Sequence, residues 1–504
     1  MSIKNKLFPS LLLLGLLVSC TKQLNTNLTN TNGLTINSLT GKDVFAQALV
    51  STALDKLGAN ISTATDNYDY TRNWMGYWAR NNGWAQSGSQ VQVETFTLIN
   101  SFSNGVWQST YHNIFDYDFI IGHSSANSIL PGASIVIKSM LFQDLVDQFG
   151  NIPYSQADNP SNTTPAYDQA QDIYKNLIVQ IDSAITLIQA SQSTVDDTSD
   201  VMFQGNKASW LQFANTIKLR ILLRQVPNVY SATDPYVSGE LSNVTSLGGF
   251  LPAGTDALIQ PGFSDVTSQT QSPMWATYGY APGMGSQYQE GESFCANDVM
   301  INFLQSTSDP RIGYFYSPTA AGPGTYGGNP LGNTGSTPTS TLGPGILQSP
   351  SMPALLFSAS QSLFMQAEAA QRGMITGSYA SLYQQAVEES FRYLGVPNYT
   401  STADNFISTS GNSNVNITTS SSPLQTILYQ KWVAECELDG LEAYSDYRRT
   451  GFPVLPTPIS TGAIGLPLPK RLLYPETEYT LNIANVTAQH QTSADQNTKI
   501  FWGQ

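Results

Sequence analysis

Charge is scarce in this chain. Only 12% of its 504 residues are charged, and 22 basic residues face 36 acidic ones, for a net charge of −14. Nucleic acid is held through its phosphates by basic stripes, so this balance excludes nucleic-acid binding as a function class. Cysteine and histidine are scarcer still, three of each. That supply argues against a disulfide scaffold and against a His/Cys metal cluster, and no metal or cofactor is expected. What fills the space is neutral: Asn, Gln, Ser, Thr, Gly and Tyr. Hydrophobic residues at 41% and aromatics at 11% exclude wholesale disorder. A chain of this length buries a large core without staples. Length alone, at roughly 150 residues per domain, would suggest about three domains.

The N-terminal residues read as a targeting segment. Lys4 and Lys6 give a positive start, and Leu7 to Val18 is an apolar run interrupted by Pro9. It falls short of the about 20 residues that a membrane-spanning helix needs. The run ends in Leu17-Val18-Ser19-Cys20, which resembles a bacterial lipobox. Residues 1–19 are therefore expected to be a lipoprotein signal peptide and Cys20 the lipidated residue. The Asn-, Thr- and Ser-rich stretch over 20–40 is expected to be a flexible tether. Thr21 is not Asp, so nothing suggests retention at the inner membrane, and Thr21-Lys22-Gln23 lacks the acidic residues that often favour surface export.

The body carries apolar residues at helical spacing. Leu177, Ile181, Ile185 and Ile188 form one stripe within 167–190; Trp210, Phe213, Ile217 and Ile221 form another within 207–224. Residues 355–372 and 379–394 look like a helix pair joined near Arg372-Gly373, in the manner of a tetratricopeptide unit. Helices are also expected over 41–60, 66–84, 104–129, 131–149 and 421–450. Val91, Val93 and Thr95 alternate briefly, in strand fashion. Arg448 and Arg449 precede Gly451, and arginines in a last turn suit the negative end of the helix dipole, so they read as helix termination. Residues 244–350 differ: Gly and Pro cluster there among Tyr and Trp. Long loops on a rigid scaffold are where binding sites tend to lie.

Enzyme motifs fail. Gly122-His123-Ser124-Ser125-Ala126 nearly matches a nucleophile elbow but sits in a helical pattern. His112 and His123 have no third ligand beside them. Gly322-Pro323-Gly324-Thr325-Tyr326-Gly327 fits a phosphate-loop pattern literally, yet has no strand before it and no helix after it. No pair among 36 acids stands out for glycoside hydrolysis. Cys295 and Cys436 read as buried thiols. Aromatic recognition remains. Trp74, Trp78 and Trp84 lie beside Asp66, Asn67 and Arg80, with Trp74 and Trp78 expected on one helix face. Trp275, Tyr278 and Tyr280 lie in the loop-rich region. Together these nine residues are the candidate ligand site. Rings of this kind stack on sugars and also anchor peptides, so the two ligand classes stay open.

Several segments together resemble the SusD/RagB family of nutrient-binding outer-membrane lipoproteins. Phe149-Gly150-Asn151-Ile152-Pro153-Tyr154 is similar to its Gly-x-Ile-Pro-Tyr turn. Trp210-Leu211-Gln212-Phe213-Ala214-Asn215-Thr216-Ile217-Lys218-Leu219-Arg220 is similar to its Trp-x-x-Phe-Ala-Asn helix. Asp309-Pro310-Arg311, Gln366-Ala367-Glu368-Ala369-Ala370, Gly440-Leu441-Glu442-Ala443-Tyr444 through Arg448-Arg449-Thr450-Gly451, and Pro469-Lys470-Arg471-Leu472-Leu473-Tyr474-Pro475 follow in the family's order. Tyr444 stands where the family often has Trp. The resemblance implies an all-α fold: tetratricopeptide-like helix pairs as one domain over 41–504, with the loop-rich insertion at about 244–350. It implies a lipid-anchored outer-membrane protein at the cell surface. Its partner would be a SusC-like TonB-dependent transporter, to which the chain delivers captured oligosaccharide. A peptide-binding lid of the same system and a surface glycan hydrolase are the alternative expectations.

Overall fold

Helices dominate the computed structural model, which describes residues 38–57, 69–84, 88–157, 159, 161–192, 198–283, 285–332, 335, 338–463 and 465–504. The lipobox with Cys20, nearly all of the expected tether, and Asp66 and Asn67 lie outside the described residues. Ten helices build the scaffold: α1 (Gly41–Leu57), α2 (Asn104–His123), α3 (Leu130–Phe149), α4 (Ala170–Ala190), α5 (Lys207–Arg224), α6 (Ala359–Arg372), α7 (Tyr379–Tyr393), α8 (Tyr399–Thr409), α9 (Pro423–Ala434) and α10 (Gly440–Thr450). From α1 to α5 each helix packs on the next. In the second group α7 packs on α6 and α8, α9 packs on α6, and α5 joins the two groups through α6 and α10. This is the tetratricopeptide-like, all-α architecture.

The sequence dictates these elements locally. Along α4, Leu177, Ile181, Ile185 and Ile188 are buried while Lys175, Asn176, Val179 and Asp182 face outward, the stripe of a helix packed on one side. Helix α5 starts where the Asn206 side chain accepts hydrogen bonds from the Ala208 and Ser209 amides. Close crossing needs a missing side chain at Gly132 on α3: a Cβ there would sit 2.9 Å from the Ala184 carbonyl oxygen and 2.7 Å from Ile188 Cγ1 on α4. Helices α6 and α10 end at Gly373 and Gly451, both at φ 79°, a left-handed conformation that glycine adopts freely.

Several expectations change. The helix expected over 421–450 breaks into α9 and α10. Residues 66–84 do not form one helix. A short helix, Asp69–Trp74, gives way at Gly76 to strand β1 (Trp78–Arg80). Gly76 has φ +73°, and a Cβ there would meet Val299 at 2.9 Å, so the chain turns at that point and Trp74 and Trp78 do not share a helix face. Val91, Val93 and Thr95 lie in a helix, Ser89–Thr95, because three alternating residues do not determine a period. The insertion is also less irregular than its composition suggests. Short helices at Pro273–Tyr278, Gln289–Ser293, Asp298–Ser306 and Ile312–Phe315 punctuate it. Six short strands form three antiparallel pairs among the described residues: β1 with β5 (Phe294–Ala296), β2 (Ile152–Pro153) with β3 (Tyr167–Asp168), and β4 (Ala257–Ile259) with β6 (Ala354–Phe357).

Where α3, α5, α6, α9 and α10 meet, the core holds an ion network. Arg224 pairs with Asp147 and Glu442, Lys431 with Glu442 at 2.6 Å and Asp446 at 2.8 Å, and Arg449 with Glu368 at 2.6 Å and Asp446 at 2.8 Å; Arg372 also pairs with Glu368. Four cations thus face four carboxylates. The fifth acid, Glu435, lies 3.6 Å from Lys431, and burial together with neighbouring carboxylates raises its pKa well above the usual range. A proton on Glu435 leaves the network balanced, which is what a low-dielectric interior demands. Burial opposes charge on Glu368 and Glu442 too. The adjacent Arg449 and Arg372 overrule it for Glu368, as Arg224 and Lys431 do for Glu442, and both carboxyls are held below their ordinary range. Glu435, Glu442 and Asp446 come close enough to suggest a metal site, but the Lys431 ammonium occupies the position a cation would take.

Both arginines do lie in the last turn of α10, ahead of its Gly451 cap, but their side chains turn inward and do more than meet the helix dipole. Arg449 is a buried member of the network. Arg448 donates to the carbonyls of Asp147 and Lys470 and lies 4.0 Å over the Tyr444 ring, so it ties α10 to α3 and to the C-terminal segment.

Candidate functional site

The β1–β5 pair joins the two halves of the candidate site. Its register sets Trp78 opposite Ala296 and Arg80 opposite Phe294. The strand from the Trp74–Trp84 segment therefore lies against the insertion that carries Trp275, Tyr278 and Tyr280. At the base, Trp78 packs at 4.8 Å on both Tyr278 and Phe294, with the Arg72 guanidinium 5.2 Å from its ring. Trp78 and Tyr278 are each only 1% exposed. Their place is in the core, where they brace the site from beneath. Trp74 is buried as well; its indole N–H donates to the Val93 carbonyl at 3.0 Å, and its ring packs on Tyr70 and Tyr444.

Above this base two rings reach the surface. Tyr280 is 41% exposed and Trp275 half-buried, with ring centroids 5.9 Å apart and planes tilted by 52°. Pro273 opens the helix that carries Trp275, and the Trp275 indole N–H donates to the Tyr280 carbonyl at 3.1 Å, which fixes the two rings relative to each other. Gln271 holds the same carbonyl at 3.0 Å and accepts from the Tyr288 hydroxyl at 2.9 Å. The Tyr288 amide in turn donates to the Gly279 carbonyl. The rings are thus presented on a braced turn.

Arg80 continues the site along β1, two residues beyond Trp78 and opposite Phe294. Its guanidinium lies 5.1 Å from the Phe294 ring and forms no hydrogen bond or ion pair with the described residues. Glu290 lies close by; burial raises its carboxyl pKa and the Arg80 charge counters the rise. Trp84 is half-buried at the exit of β1, where its amide donates to the Asn81 carbonyl. The Asn81 amide donates to the Glu292 carbonyl at 3.0 Å, and its oxygen accepts from Thr339 at 2.7 Å, which binds the Trp84 turn to the Gln289–Ser293 helix. Trp84, Arg80, Trp275 and Tyr280 therefore lie around one helix of the insertion, whereas Trp74, Trp78 and Tyr278 form the support. Sequence reasoning missed Gln271, Tyr288, Glu290 and Phe294. Strand pairing places Phe294, hydrogen bonds around the Tyr280 carbonyl place Gln271 and Tyr288, and a five-residue helix places Glu290; none of these leaves a periodic signal.

Geometrically the site is an open surface with two ring faces, unspent guanidinium donors and neutral amides. It suits a ligand with apolar faces and many hydroxyl or amide groups. Both internal cysteines are free and buried, and burial pushes the Cys295 thiol up to about 12. A cavity of about 650 Å³ lies elsewhere, with Trp74 in its wall. Among the described residues no helix is long and apolar enough to cross a membrane.

Comparison with known proteins agrees with this architecture. A search of curated proteins finds no match. Solved structures superpose over nearly the whole chain. A chitin-binding protein matches with a TM-score of 0.73 and 24% identity, covering 91% of this chain and 100% of its own. A chitin-binding SusD homologue from Flavobacterium johnsoniae matches with a TM-score of 0.72 and 21% identity, over 91% and 98%. A SusD homologue from Bacteroides uniformis matches with a TM-score of 0.71 and 22% identity, over 92% and 99%. The family model described as starch-binding and associating with the outer membrane spans residues 37–475. By that match over most of its length, and with the helix-pair scaffold already described, the chain belongs to the SusD-like family.

Proposed function

We propose that this chain captures oligosaccharide at the cell surface and delivers it to a SusC-like TonB-dependent outer-membrane transporter. Cys20 carries the lipid anchor, residues 20–40 form the tether, and residues 41–504 act as one binding domain. The observation that carries the reading is the surface ring pair of exposed Tyr280 and half-buried Trp275, held in one fixed geometry. Sugar rings lay their C–H faces on such aromatic surfaces, and the guanidinium and amide groups around them suit hydroxyl and acetamido groups. An open platform also accommodates a chain longer than a closed cavity can hold. The family description and two chitin-binding structural neighbours support a glycan ligand. The reading is of a binding site without chemistry, in keeping with a family described by what it binds.

Calorimetric titration of the mature chain with chito- and malto-oligosaccharides tests this. Binding weakened tenfold or more by Trp275→Ala supports the platform. Unchanged binding in Trp275→Ala and Trp84→Ala would relocate the site, and release of shortened sugars would replace capture with hydrolysis. Co-purification of a barrel transporter with the membrane-anchored chain tests the delivery step.

A further inference from the structure

A cleft of about 520 Å³ opens between the end of α7, the Ile312–Phe315 helix, β4 and the segment over 344–353. It shares no residue with the aromatic platform. Its volume falls in the range of small-molecule sites, roughly 300–1,000 Å³. Met352 and Leu394 are buried in its wall, and Leu258 is half-buried there. Tyr314 and Tyr393 line it too, each half-buried, and neither hydroxyl has a hydrogen-bond partner among the described residues. The 344–353 segment ties the two tyrosines together. The Gly345 amide donates to the Tyr314 carbonyl at 2.9 Å, and the Gln348 side-chain amide donates to the Gly345 and Tyr393 carbonyls, both at 3.0 Å. Those two bonds use the Gln348 donors and leave its oxygen as a fixed acceptor. Arg392 supplies the opposite polarity. Its Nε donates to Glu389 at 2.7 Å and its Nη2 pairs with Asp256, while its Nη1 has no partner among the described residues. Burial and the neighbouring Asp256 raise the Tyr393 pKa, so its phenol keeps the proton and can both donate and accept.

We propose that this cleft is a second ligand site, for a short uncharged saccharide. The unspent groups select the class. Gln348 offers only an acceptor, Arg392 Nη1 only a donor, and the two phenols offer both. Sugar hydroxyls also donate and accept, so one ligand meets all four groups at once. Its C–H faces cover Leu258, Met352 and Leu394. A carboxylate ligand brings acceptors alone and meets Asp256 and Glu389 as like charges. An ammonium ligand brings donors alone and meets the Arg392 guanidinium. The inference does not rest on the platform, since the two sites share no residue.

Calorimetry with N,N′-diacetylchitobiose and maltose tests it on the mature chain carrying Trp275→Ala and Tyr280→Ala, which removes the platform. This protein should still bind at least one of the two disaccharides, more weakly than the native chain binds longer oligosaccharides. Adding Tyr314→Phe and Tyr393→Phe deletes two hydroxyls and keeps both rings, so packing is preserved. Binding should then weaken about tenfold, the ordinary net worth of two hydrogen bonds. Gln348→Ala, at an exposed position, should weaken it about threefold. Absence of binding by both disaccharides overturns the proposal, and so does binding that the cleft substitutions leave unchanged. Failure of the platform reading looks different: the Trp275→Ala/Tyr280→Ala protein would bind as the native chain does, and the cleft substitutions would still decide the second site.

Discussion

Replacing Lys431 with Met should destabilise the fold without touching the binding surface. The ammonium is 1% exposed and lies 2.6 Å from Glu442 and 2.8 Å from Asp446. Methionine matches much of its volume, so packing loss is small and the effect isolates charge. Breaking a buried pair by removing one partner costs about 3–5 kcal/mol, because a charge is left uncompensated. Here each carboxylate keeps a guanidinium, Arg224 for Glu442 and Arg449 for Asp446, which places the loss near the lower end, about 3 kcal/mol. For a unit of this size unfolding entropy scales so that about 1 °C of Tm is lost per kcal/mol, or about 3 °C here. Thermal unfolding followed by circular dichroism reads this directly. The deficit should shrink as pH falls from 8 to 5, since Glu442, freed from Lys431, takes up a proton at higher pH than in the native chain. An unchanged Tm, or a deficit independent of pH, would refute the view that the network is electrostatically balanced.

Other outcomes follow from the same geometry. Glu368 and Glu442 have folded pKa values below the unfolded value of about 4.3, so the stability they contribute is full above about pH 5 and is lost as pH falls further; denaturant midpoints at pH 7, 5, 4 and 3 should decline only below pH 5, and a flat profile would contradict the assignment. Trp78→Ala should cost about 3–5 kcal/mol because it empties a buried site, whereas the half-exposed Trp275→Ala should cost about 1 kcal/mol or less; equal losses in denaturant unfolding would mean that support and platform are misassigned. Cys295 and Cys436 should resist a disulfide reagent at pH 8 in the native state and react once the chain unfolds, because both are buried and their thiols are held in the neutral form; rapid native labelling would contradict their burial.

Much of the scaffold is legible in the sequence because α4 and α5 show their buried faces in Leu177, Ile181, Ile185, Ile188 and Trp210, Phe213, Ile217, Ile221, one turn apart. The ion network is invisible there. Its members at 224, 368 and 431 come from three helices and meet the 442, 446 and 449 face of a fourth, α10, and nothing in local spacing distinguishes a dipole-compensating arginine from a buried one. The site divides in the same way. Trp275 and Tyr280 sit among prolines and glycines, outside any burial stripe, and they are the rings that reach the surface. Trp74 and Trp78 look like a helical pair only until Gly76 turns the chain, and Trp78 and Tyr278, two hundred residues apart in sequence, meet because two three-residue strands pair. Nonlocal pairing of such short elements carries no periodic trace, so the distinction between platform and support emerges only in three dimensions.

The central claim is that the exposed rings of the insertion hold the ligand. Titrating the mature chain and its Trp275→Ala/Tyr280→Ala variant with the same oligosaccharide series measures it most directly. The account predicts saturable binding to the native chain and at least a tenfold loss in the variant, which should still unfold cooperatively with only a small drop in midpoint. Equal affinity in both proteins would contradict it.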